Sequence, residues 1–241
     1  ARLYYQSLAP HEQKHVVDAY TFELSKVQRL HIREREVQEI LSHIDLDLAQ
    51  QVGKNLGIEV TASKQAMRIS SVTKSAKLSF EAFVPTDIKA RKIAVLVHDK
   101  VNQASIDAIQ KWAKAEHAVA HILTPTPAPV INHQHGKVAS NGMQKAEPSI
   151  AYDAVIVVDG DNDAEVKQDG VTKHYILEAY KHLKPIVFLG TKKNLLEALQ
   201  LVQDDGTLTS DHFEQLQDQF KDLIRHHRIW AREKAAEAIP A

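Results

Sequence analysis

The sequence predicts an α/β protein in which a doubly wound, mostly parallel sheet follows a short all-α segment. Nearly continuous apolar runs, such as residues 93–97 and 152–158, are typical of parallel strands buried on both faces. Segments with apolar residues at helical spacing alternate with these runs, as expected when helices cover both faces of a sheet. Residues 1–57, in contrast, show helical spacing only.

Three helices are predicted in this opening. Ser7 is the expected N-cap of the first helix, with Pro10 in its first turn, and Asp45 is the expected N-cap of the third. Gly57 supplies the left-handed residue that ends the third helix. The apolar positions expected to face inward are Val16, Val17, Tyr20, Leu24 and Val27 in the first helix, Ile32, Val37, Ile40, Leu41 and Ile44 in the second, and Leu48, Ala49, Val52 and Leu56 in the third. So short a segment buries little surface alone, so these apolar faces need a partner.

A linker is predicted next, because residues 59–91 keep neither a helical nor a strand period, which is unusual inside one compact domain. The expected organisation is a helical segment at 1–58, a linker at 59–91 and an α/β domain at 92–241. Within the linker, residues 79–84 are predicted to be a short extended piece. The basic residues there lack the aromatic platform or glycine-rich turn of a phosphate site and are interpreted as solvated charges; they are Lys64, Arg68, Lys74 and Lys77.

Strands and helices alternate through the α/β domain. The strands are predicted at residues 93–97, 119–123, 152–158 and 185–189. The helices are predicted to begin at Asn102, to cover residues 176–183 and 193–201, and to end with one that carries Phe213, Leu216, Phe220, Leu223 and Ile224. Asn141-Gly142 predicts a two-residue hairpin. Ligands in such sheets bind beyond the carboxyl ends of the strands, so a site is expected among residues 98–102, 159–163 and 190–194.

Composition narrows the classes of function. The net charge is −1, so no electrostatic attraction to nucleic acid or to an anionic membrane is expected. The count of cysteines is 0, which removes disulfides and thiol nucleophiles and fits the reducing cytoplasm, where we expect the protein to reside. No apolar run approaches the roughly 20 residues that span a bilayer. The sequence begins at Ala1, with neither an initiator methionine nor a signal-peptide pattern. We therefore expect this chain to be a piece of a longer protein.

Several stretches resemble known families. Residues 1–27, which begin Ala-Arg-Leu-Tyr-Tyr, are similar to the helical end of the haem catalase core. Residues 95–99 (Val-Leu-Val-His-Asp) and 152–160 (Tyr-Asp-Ala-Val-Ile-Val-Val-Asp-Gly) resemble the flavodoxin-like fold of the class I glutamine amidotransferase and intracellular-protease superfamily. Residues 225–232 resemble the end of large-subunit catalases. Together these stretches resemble the C-terminal part of a large-subunit catalase, which carries such a domain.

The resemblance to the amidotransferase superfamily implies a cysteine on the turn after the strand at residues 185–189. This chain has Gly190 and Thr191 there, which excludes thiolate chemistry. A hydroxyl nucleophile at Thr191 would need an adjacent base, and only Lys192 is near in the sequence.

The resemblance to catalases implies a tyrosinate haem ligand in an Arg-x-Phe-x-Tyr-x-Asp pattern, which is absent from this chain. Tyr4 and Tyr5 lie too far past that motif in the order of the family to serve as the ligand. We therefore predict no catalytic, no cofactor-binding and no metal-binding residue in this chain, and haem only in the parent protein.

Two loops carry residues that bind metal ions in other proteins. His133 and His135 stand two residues apart, but a zinc site needs three or four suitably spaced ligands. Residues 159–163 (Asp-Gly-Asp-Asn-Asp) are similar to the start of a calcium loop, but the glycine is misplaced and no glutamate closes the loop. Both segments are interpreted as ordinary loops. His226 and His227 are interpreted as favourable charges at a helix C-terminus.

The resemblance implies a fragment of a catalase, the enzyme that disproportionates hydrogen peroxide to water and oxygen. The expected partners are the catalase core domain and the other subunits of a homotetramer, and the expected role is structural. Tyr4, Tyr5, Tyr20 and Phe22 are expected to include contacts to that partner, or alternatively to pack on the α/β domain. Two alternatives stay open: a holdase-like chaperone that captures unfolded client proteins, and a small-molecule-binding or hydrolase module that uses the strand-end crevice.

Overall fold

The computed structural model describes residues 1–61, 71–161 and 163–240. The chain forms two compact units, Ala1–Val84 and Pro85–Ala241, each with its own hydrophobic core. The division falls inside the predicted linker at residues 59–91, whose Lys64 and Arg68 lie outside the described residues.

The first unit, Ala1–Val84, is helical. Its α-helices are α1 (Arg2–Ser7), α2 (Pro10–Ser25), α3 (Leu30–Arg35), α4 (Ser42–Ile44) and α5 (Leu46–Leu56). A π-helical turn at Glu36–Leu41 joins α3 to α4. Val17 of α2, Leu41 of the π-helical turn and Val52 of α5 are buried in one cluster, so the three elements share a core. This agrees with the predicted short all-α segment.

The two ends of α5 confirm two predictions. Asp45 is its N-cap, and the Asp45 carboxylate accepts hydrogen bonds from the backbone N–H of Asp47 at 2.9 Å and of Leu48 at 3.3 Å. Gly57 follows the helix with a φ of 71°, the left-handed conformation that glycine adopts without penalty.

The prediction for Ser7 is wrong. Ser7 is the last residue of α1, and α2 begins at Pro10 after Ala9. The backbone N–H of Ala9 donates to the Glu12 carboxylate at 2.7 Å, so a side chain inside the helix satisfies the amide at its start. A serine N-cap is therefore not needed here.

The inward face of the second predicted helix differs from a regular α-helical pattern. Val37 and Leu41 are fully buried, as expected, but Ile40 is 48% exposed. The π-helical turn at Glu36–Leu41 has more residues per turn than an α-helix, so the direction of the later side chains shifts. Single-sequence periodicity assumes one helical pitch and cannot register this change.

Residues 79–84 do not form the extended piece that the sequence predicted. They contain a 3₁₀ turn at Phe80–Ala82 instead. The Ser79 hydroxyl accepts a hydrogen bond from the backbone N–H of Glu81, and the backbone N–H of Phe80 donates to the Glu12 carboxylate at 2.8 Å. Side chains thus take the backbone donors that a strand would have paired with a neighbouring strand.

The second unit, Pro85–Ala241, contains the parallel sheet. Its strands are β1 (Lys92–Leu96), β2 (Val119–Thr124), β3 (Val130–Ile131), β4 (Lys137–Val138), β5 (Gly142–Met143), β6 (Ala154–Val157), β7 (Ile186–Leu189) and β8 (Thr207–Ser210). Six strands form one sheet in the order β5-β2-β1-β6-β7-β8, and all neighbours in it are parallel. β3 and β4 form a separate antiparallel pair.

Helices lie between β1 and β2, between β6 and β7, and between β7 and β8, and two more follow β8. They are α6 (Gln103–Ala115), α7 (Asp163–Gln168), α8 (Gly170–Lys181), α9 (Asn194–Ala198), α10 (Gln217–Arg225) and α11 (Glu233–Ala236). Asn102 caps α6 as predicted, since its side chain accepts a hydrogen bond from the backbone N–H of Ala104. Every helix among the described residues is too short or too polar to cross a membrane.

Both faces of the sheet are buried. Along β1, Ile93 and Val95 belong to one hydrophobic cluster, which also contains Trp112 of α6. Ala94 and Leu96 belong to a second cluster, which also contains Ile176 of α8. Alternate residues of one strand thus pack against helices on opposite faces, which is the doubly wound arrangement. The predicted fold class is confirmed, and the architecture is consistent with a flavodoxin-like fold.

The predicted hairpin is wrong, and one strand of the sheet was missed. Asn141-Gly142 does not turn a hairpin; Gly142 begins β5, which pairs in parallel with β2. The antiparallel turn lies between β3 and β4, where the Asn132 side chain accepts hydrogen bonds from the backbone N–H of Gln134 and Gly136. β8 was not predicted, because the Thr-Leu-Thr-Ser sequence of this edge strand has no apolar run.

A buried ion pair fixes the C-terminal region to the sheet. Arg232, which is 2% exposed, donates from Nε to Asp204 Oδ2 at 2.6 Å and from Nη2 to Asp204 Oδ1 at 2.7 Å. Arg232 Nη1 also donates to the carbonyl oxygen of Lys184 at 2.6 Å. Such bidentate pairing satisfies a guanidinium that would be costly to bury alone.

Candidate functional site

The C-terminal ends of β1, β6 and β7 meet at one edge of the parallel sheet. A cleft of about 360 Å³ opens there. The residues that line it are Lys100, Asn102, His133, Asp159, Gly160, Asp161, Gly190, Thr191 and Asp211. The structure thus brings together the three segments in which the sequence analysis expected a site, as the topology of parallel sheets requires.

Gly190 shapes the turn that follows β7. Its φ is 56°, in the left-handed region that favours glycine. A Cβ at Gly190 would lie 3.0 Å from the Cβ of Asp159, closer than carbon atoms normally approach. The Asp159 side chain therefore occupies the space that a reactive side chain on this turn would need.

The two polar atoms of Asp159 differ in their surroundings. Oδ2 accepts a hydrogen bond from Asn102 Nδ2 at 2.9 Å. Oδ1 is buried and has no hydrogen-bond partner among the described residues. The carboxylate of Asp159 therefore ties two strand ends together through one of its oxygens only.

Thr191 and Lys192 do not form a nucleophile and base. Thr191 is exposed, whereas Lys192 is 1% exposed and its ammonium donates to the carbonyl oxygen of Gly160 at 3.2 Å. A general base must lie within hydrogen-bonding reach of the hydroxyl that it deprotonates. The ammonium of Lys192 is held below the surface, where it ties the turn after β7 to the end of β6.

A buried polar network lies beyond the end of β1, where sequence reasoning identified only the segment at residues 98–102. Thr172 Oγ1 lies 2.9 Å from His98 Nε2 and 2.7 Å from Gln144 Oε1. Asp169 Oδ2 lies 3.2 Å from the same His98 Nε2. In a catalytic triad the nucleophile and the orienting carboxylate contact different ring nitrogens, so this geometry is not a triad.

The pKa shifts and the burial in this network indicate a structural cluster that is closed to solvent. Burial lowers the pKa of His98, although the Asp169 carboxylate opposes the shift. Burial alone would raise the pKa of Asp169, but hydrogen bonds from Thr172 and His98 lower it on balance. Thr172 is fully buried and cannot meet a substrate from solvent. No local pattern predicts these contacts, because His98 and Asp169 lie on different elements.

Comparison with protein families identifies the α/β unit. A family described as the C-terminal domain found in long catalases matches residues 89–234, more than half of the chain. The chain belongs to this family. A second family, described as catalase-related immune-responsive, matches residues 1–56.

Several curated catalases are similar to this chain over its whole length. Identity is 41% over 244 residues with catalase HPII of Pseudomonas putida and 37% over 242 residues with catalase HPII of Pseudomonas aeruginosa. Identity is 35% over 245 residues with catalase-B of Dictyostelium discoideum. These comparisons include 100% of this chain but only 34%, 34% and 35% of the three relatives. The chain thus spans about a third of the length of the curated relatives that it matches.

In this long-catalase C-terminal domain, neither the loop with His133 and His135 nor the loop at residues 159–163 brings enough ligands together, among the described residues, to bind a metal ion. His133 Nδ1 lies 3.1 Å from the carbonyl oxygen of Val101, and His135 has a φ of 63° in the turn between β3 and β4. Within residues 1–61, 71–161 and 163–240, no three His, Asp or Glu side chains are grouped so that they could hold a metal ion. Of the loop at residues 159–163, Asn162 and the side chain of Asp163 lie outside the described residues.

Of the two histidines after α10, His227 departs from its predicted role. His226 follows the helix directly, and its Nδ1 lies 2.9 Å from the Asp222 carbonyl oxygen, as expected near a helix C-terminus. His227 has a φ of 69°, and burial, reinforced by the charge of Arg228, lowers its pKa. A neutral His227 contributes no charge to the helix dipole.

Proposed function

We propose that this chain is the C-terminal part of a long haem catalase and supplies packing surface instead of reacting groups. The parent reaction is then the disproportionation of hydrogen peroxide to water and oxygen, performed by residues outside this chain. The similarity of the whole chain to about a third of several catalases supports this proposal. The core domain of the parent and the other subunits of a homotetramer are the partners that we propose.

The buried tyrosines of this chain do not fit a haem. Tyr5, Tyr152, Tyr175 and Tyr180 are each 5% exposed or less, so protein atoms fill the space that a porphyrin beside their rings would need. The Arg-x-Phe-x-Tyr-x-Asp pattern of the catalase ligand is also absent. We therefore propose that the parent binds its haem outside these residues.

Exposed aromatic side chains in the helical unit are the observation that carries the proposal. Phe80 is 81% exposed and Phe83 is 75% exposed, and Phe22 of α2 is also exposed. Among the aromatic residues expected to meet a missing partner, Tyr4 is exposed, whereas Tyr5 is buried within its own unit. Large apolar side chains left in water favour association with another surface.

The test replaces Phe80 and Phe83 by serine in the full-length catalase. If these rings pack on another part of the assembly, the variant should lose activity at a lower temperature and dissociate more readily than the parent. The same double substitution in the 241-residue chain is the matched control. There it should change the free energy of unfolding by no more than about 0.5 kcal/mol, because exposed positions contribute little.

Equal thermal inactivation and equal subunit dissociation of parent and variant would contradict the packing proposal. A loss of stability in the isolated chain as large as that in the assembly would contradict it as well, since the rings would then stabilise this chain alone.

A second candidate function is holdase-like capture of unfolded client proteins by the isolated chain. The same exposed rings, Phe80 and Phe83, favour it, because chaperone surfaces bind apolar segments. At stoichiometric ratio, the chain should suppress thermal aggregation of an unrelated enzyme, measured by light scattering. The Phe80→Ser, Phe83→Ser variant should suppress it less. Equal suppression by both proteins, or no suppression, would count against this function.

The remaining alternative is a small-molecule or hydrolase module. The strand-end cleft does not support hydrolysis, because the Lys192 ammonium donates to the Gly160 carbonyl oxygen and does not act as a base for Thr191.

Cytoplasmic location is also a proposal, for which the lack of cysteine is the supporting observation. Fractionation of cells that express the natural protein would test it.

A further inference from the structure

Two aromatic rings stand close together on residues 75–83, which are called the aromatic segment from here on. Phe80 begins a 3₁₀ turn and Phe83 directly follows it, and the backbone N–H of Phe83 donates to the carbonyl oxygen of Phe80 at 3.0 Å. Side chains three positions apart lie on the same side of such a turn. Both rings are largely exposed, so together they form one apolar surface.

Polar groups connect the aromatic segment to the helices of its own unit. The Ser7 hydroxyl accepts a hydrogen bond from the backbone N–H of Ser75 at 2.9 Å, and Glu12 Oε1 accepts one from the backbone N–H of Phe80 at 2.8 Å. Glu81 Oε1 lies 3.4 Å from His11 Nδ1. None of residues 75–83 is buried, so little apolar packing fixes their position. These polar contacts thus hold the segment and leave its rings in water.

Glu12 serves two backbone N–H groups at once. Its Oε1 accepts from Phe80 in the aromatic segment, and its Oε2 accepts from Ala9 at the start of α2 at 2.7 Å. A carboxylate offers two acceptor oxygens, one for each of these groups, whereas a carboxamide offers only one. The carboxylate of Glu12 is therefore the link between the aromatic segment and α2.

Two rings held out into water fit a partner that offers an apolar groove. The chain spans 34% of the length of catalase HPII of Pseudomonas putida, so most of a parent of that length lies outside this chain and can supply such a groove. We propose that Glu12 is the positioning residue of this surface, which holds the aromatic segment in the turn that presents Phe80 and Phe83 to an apolar groove elsewhere in the parent. This proposal rests on the packing function proposed above.

Hydrogen exchange of the Phe80 amide in the intact 241-residue chain, followed by NMR, tests whether Glu12 holds the segment. In Glu12→Gln, the single acceptor oxygen should stay with Ala9, because glutamine makes the same local bond at this helix position. The Phe80 amide should then exchange at least about fivefold faster than in the wild type, and the Ala9 amide should exchange at the wild-type rate. Glu23→Gln is the matched control, because Glu23 pairs with Lys26 on the surface of α2, and it should leave both amides unchanged.

The pH dependence supplies a second readout. Burial alone would raise the pKa of Glu12, but hydrogen bonds, including those from Ala9 and Phe80, lower it on balance below the ordinary value of 4.5, and the His11 charge adds to this. The link is therefore complete above pH 4.5 and is lost as the pH falls through the lowered pKa. The difference in Phe80 exchange between wild type and Glu12→Gln should be full at neutral pH and disappear in acid. Glu81, paired with His11, is the other carboxylate at this site and is unchanged in the variant, so its titration cancels in the comparison.

The parent catalase tests whether the positioning matters for packing. There, Glu12→Gln should lower the temperature of thermal inactivation, as Phe80→Ser, Phe83→Ser should. Added to the two phenylalanine substitutions, Glu12→Gln should lower it little further, because a surface without rings gains nothing from being positioned. Glu23→Gln should leave the inactivation temperature unchanged.

Equal Phe80 exchange in wild type and Glu12→Gln at neutral pH would overturn the proposal, and so would a full additional loss when Glu12→Gln is combined with the phenylalanine substitutions. If the phenylalanine substitutions destabilise the parent but Glu12→Gln does not, the positioning role fails and the packing function stands. If the phenylalanine substitutions leave the parent unchanged, the packing function fails, and the positioning role fails with it whatever the exchange of the Phe80 amide.

Discussion

Lys184 is a fully buried cation, and no carboxylate among the described residues forms an ion pair with it. Its ammonium donates to the carbonyl oxygens of Ser149 and Tyr152, the latter at 2.6 Å. Burial, reinforced by the nearby Arg228 charge, lowers the pKa of Lys184 from 10.5 to about 8. The unfolded chain therefore binds this proton more tightly than the folded chain does. Between about pH 8 and pH 10.5 the folded state has already released it, so this group makes the free energy of unfolding rise with pH.

The variant Lys184→Met tests this linkage. The wild-type free energy of unfolding minus that of the variant should increase by about 3 kcal/mol from pH 8 to pH 10.5. Other titrating groups cancel in the difference, and urea unfolding at several pH values measures it. A difference that stays constant or falls with pH would show that Lys184 keeps an ordinary pKa.

The turn at Gly190 makes a separate prediction. Gly190→Ala places a Cβ 3.0 Å from Asp159 Cβ on a left-handed residue, and should lower the free energy of unfolding by about 1–2 kcal/mol. Gly170→Ala is the control, because a Cβ there meets no atom within 4 Å. Chemical denaturation measures both variants, and equal stability of the two would refute the importance of this turn.

At the scale of elements, the cap of α5 is a direct test of helix formation in the first unit. Asp45→Ala removes the acceptor for two backbone N–H groups and should cost about 1 kcal/mol. Hydrogen exchange of the amides in Leu46–Leu56 should accelerate accordingly. Asp45→Asn keeps a capping oxygen, so the amides of its α5 should exchange nearly as slowly as those of the wild type. Amide exchange as slow as wild type in Asp45→Ala would contradict the prediction.

Elements with strong local signals were predictable, and elements that depend on tertiary pairing were not. The buried strands β1, β6 and β7 are apolar runs, and the caps at Asp45 and Asn102 act within their own helices. β8 is polar in sequence and becomes a strand because β7 offers it a partner. Asn141-Gly142 has hairpin chemistry, but pairing of β5 with β2 overrides it.

At the scale of the whole molecule, the location of the candidate site followed from topology, but its chemistry did not. Alternating strands and helices predict a crevice at the strand ends, and the cleft beside Gly190 lies there. The network of His98, Thr172 and Asp169 joins residues about 70 positions apart and leaves no local trace in the sequence.

We propose that this chain acts through its surfaces and leaves peroxide chemistry to the rest of a long catalase. Oxygen evolution from hydrogen peroxide, measured on the purified chain with and without added haem, tests this proposal. We predict no turnover above that of free haem and no absorption band of a protein-bound haem. Rapid oxygen evolution by the chain, accompanied by such a band, would contradict it.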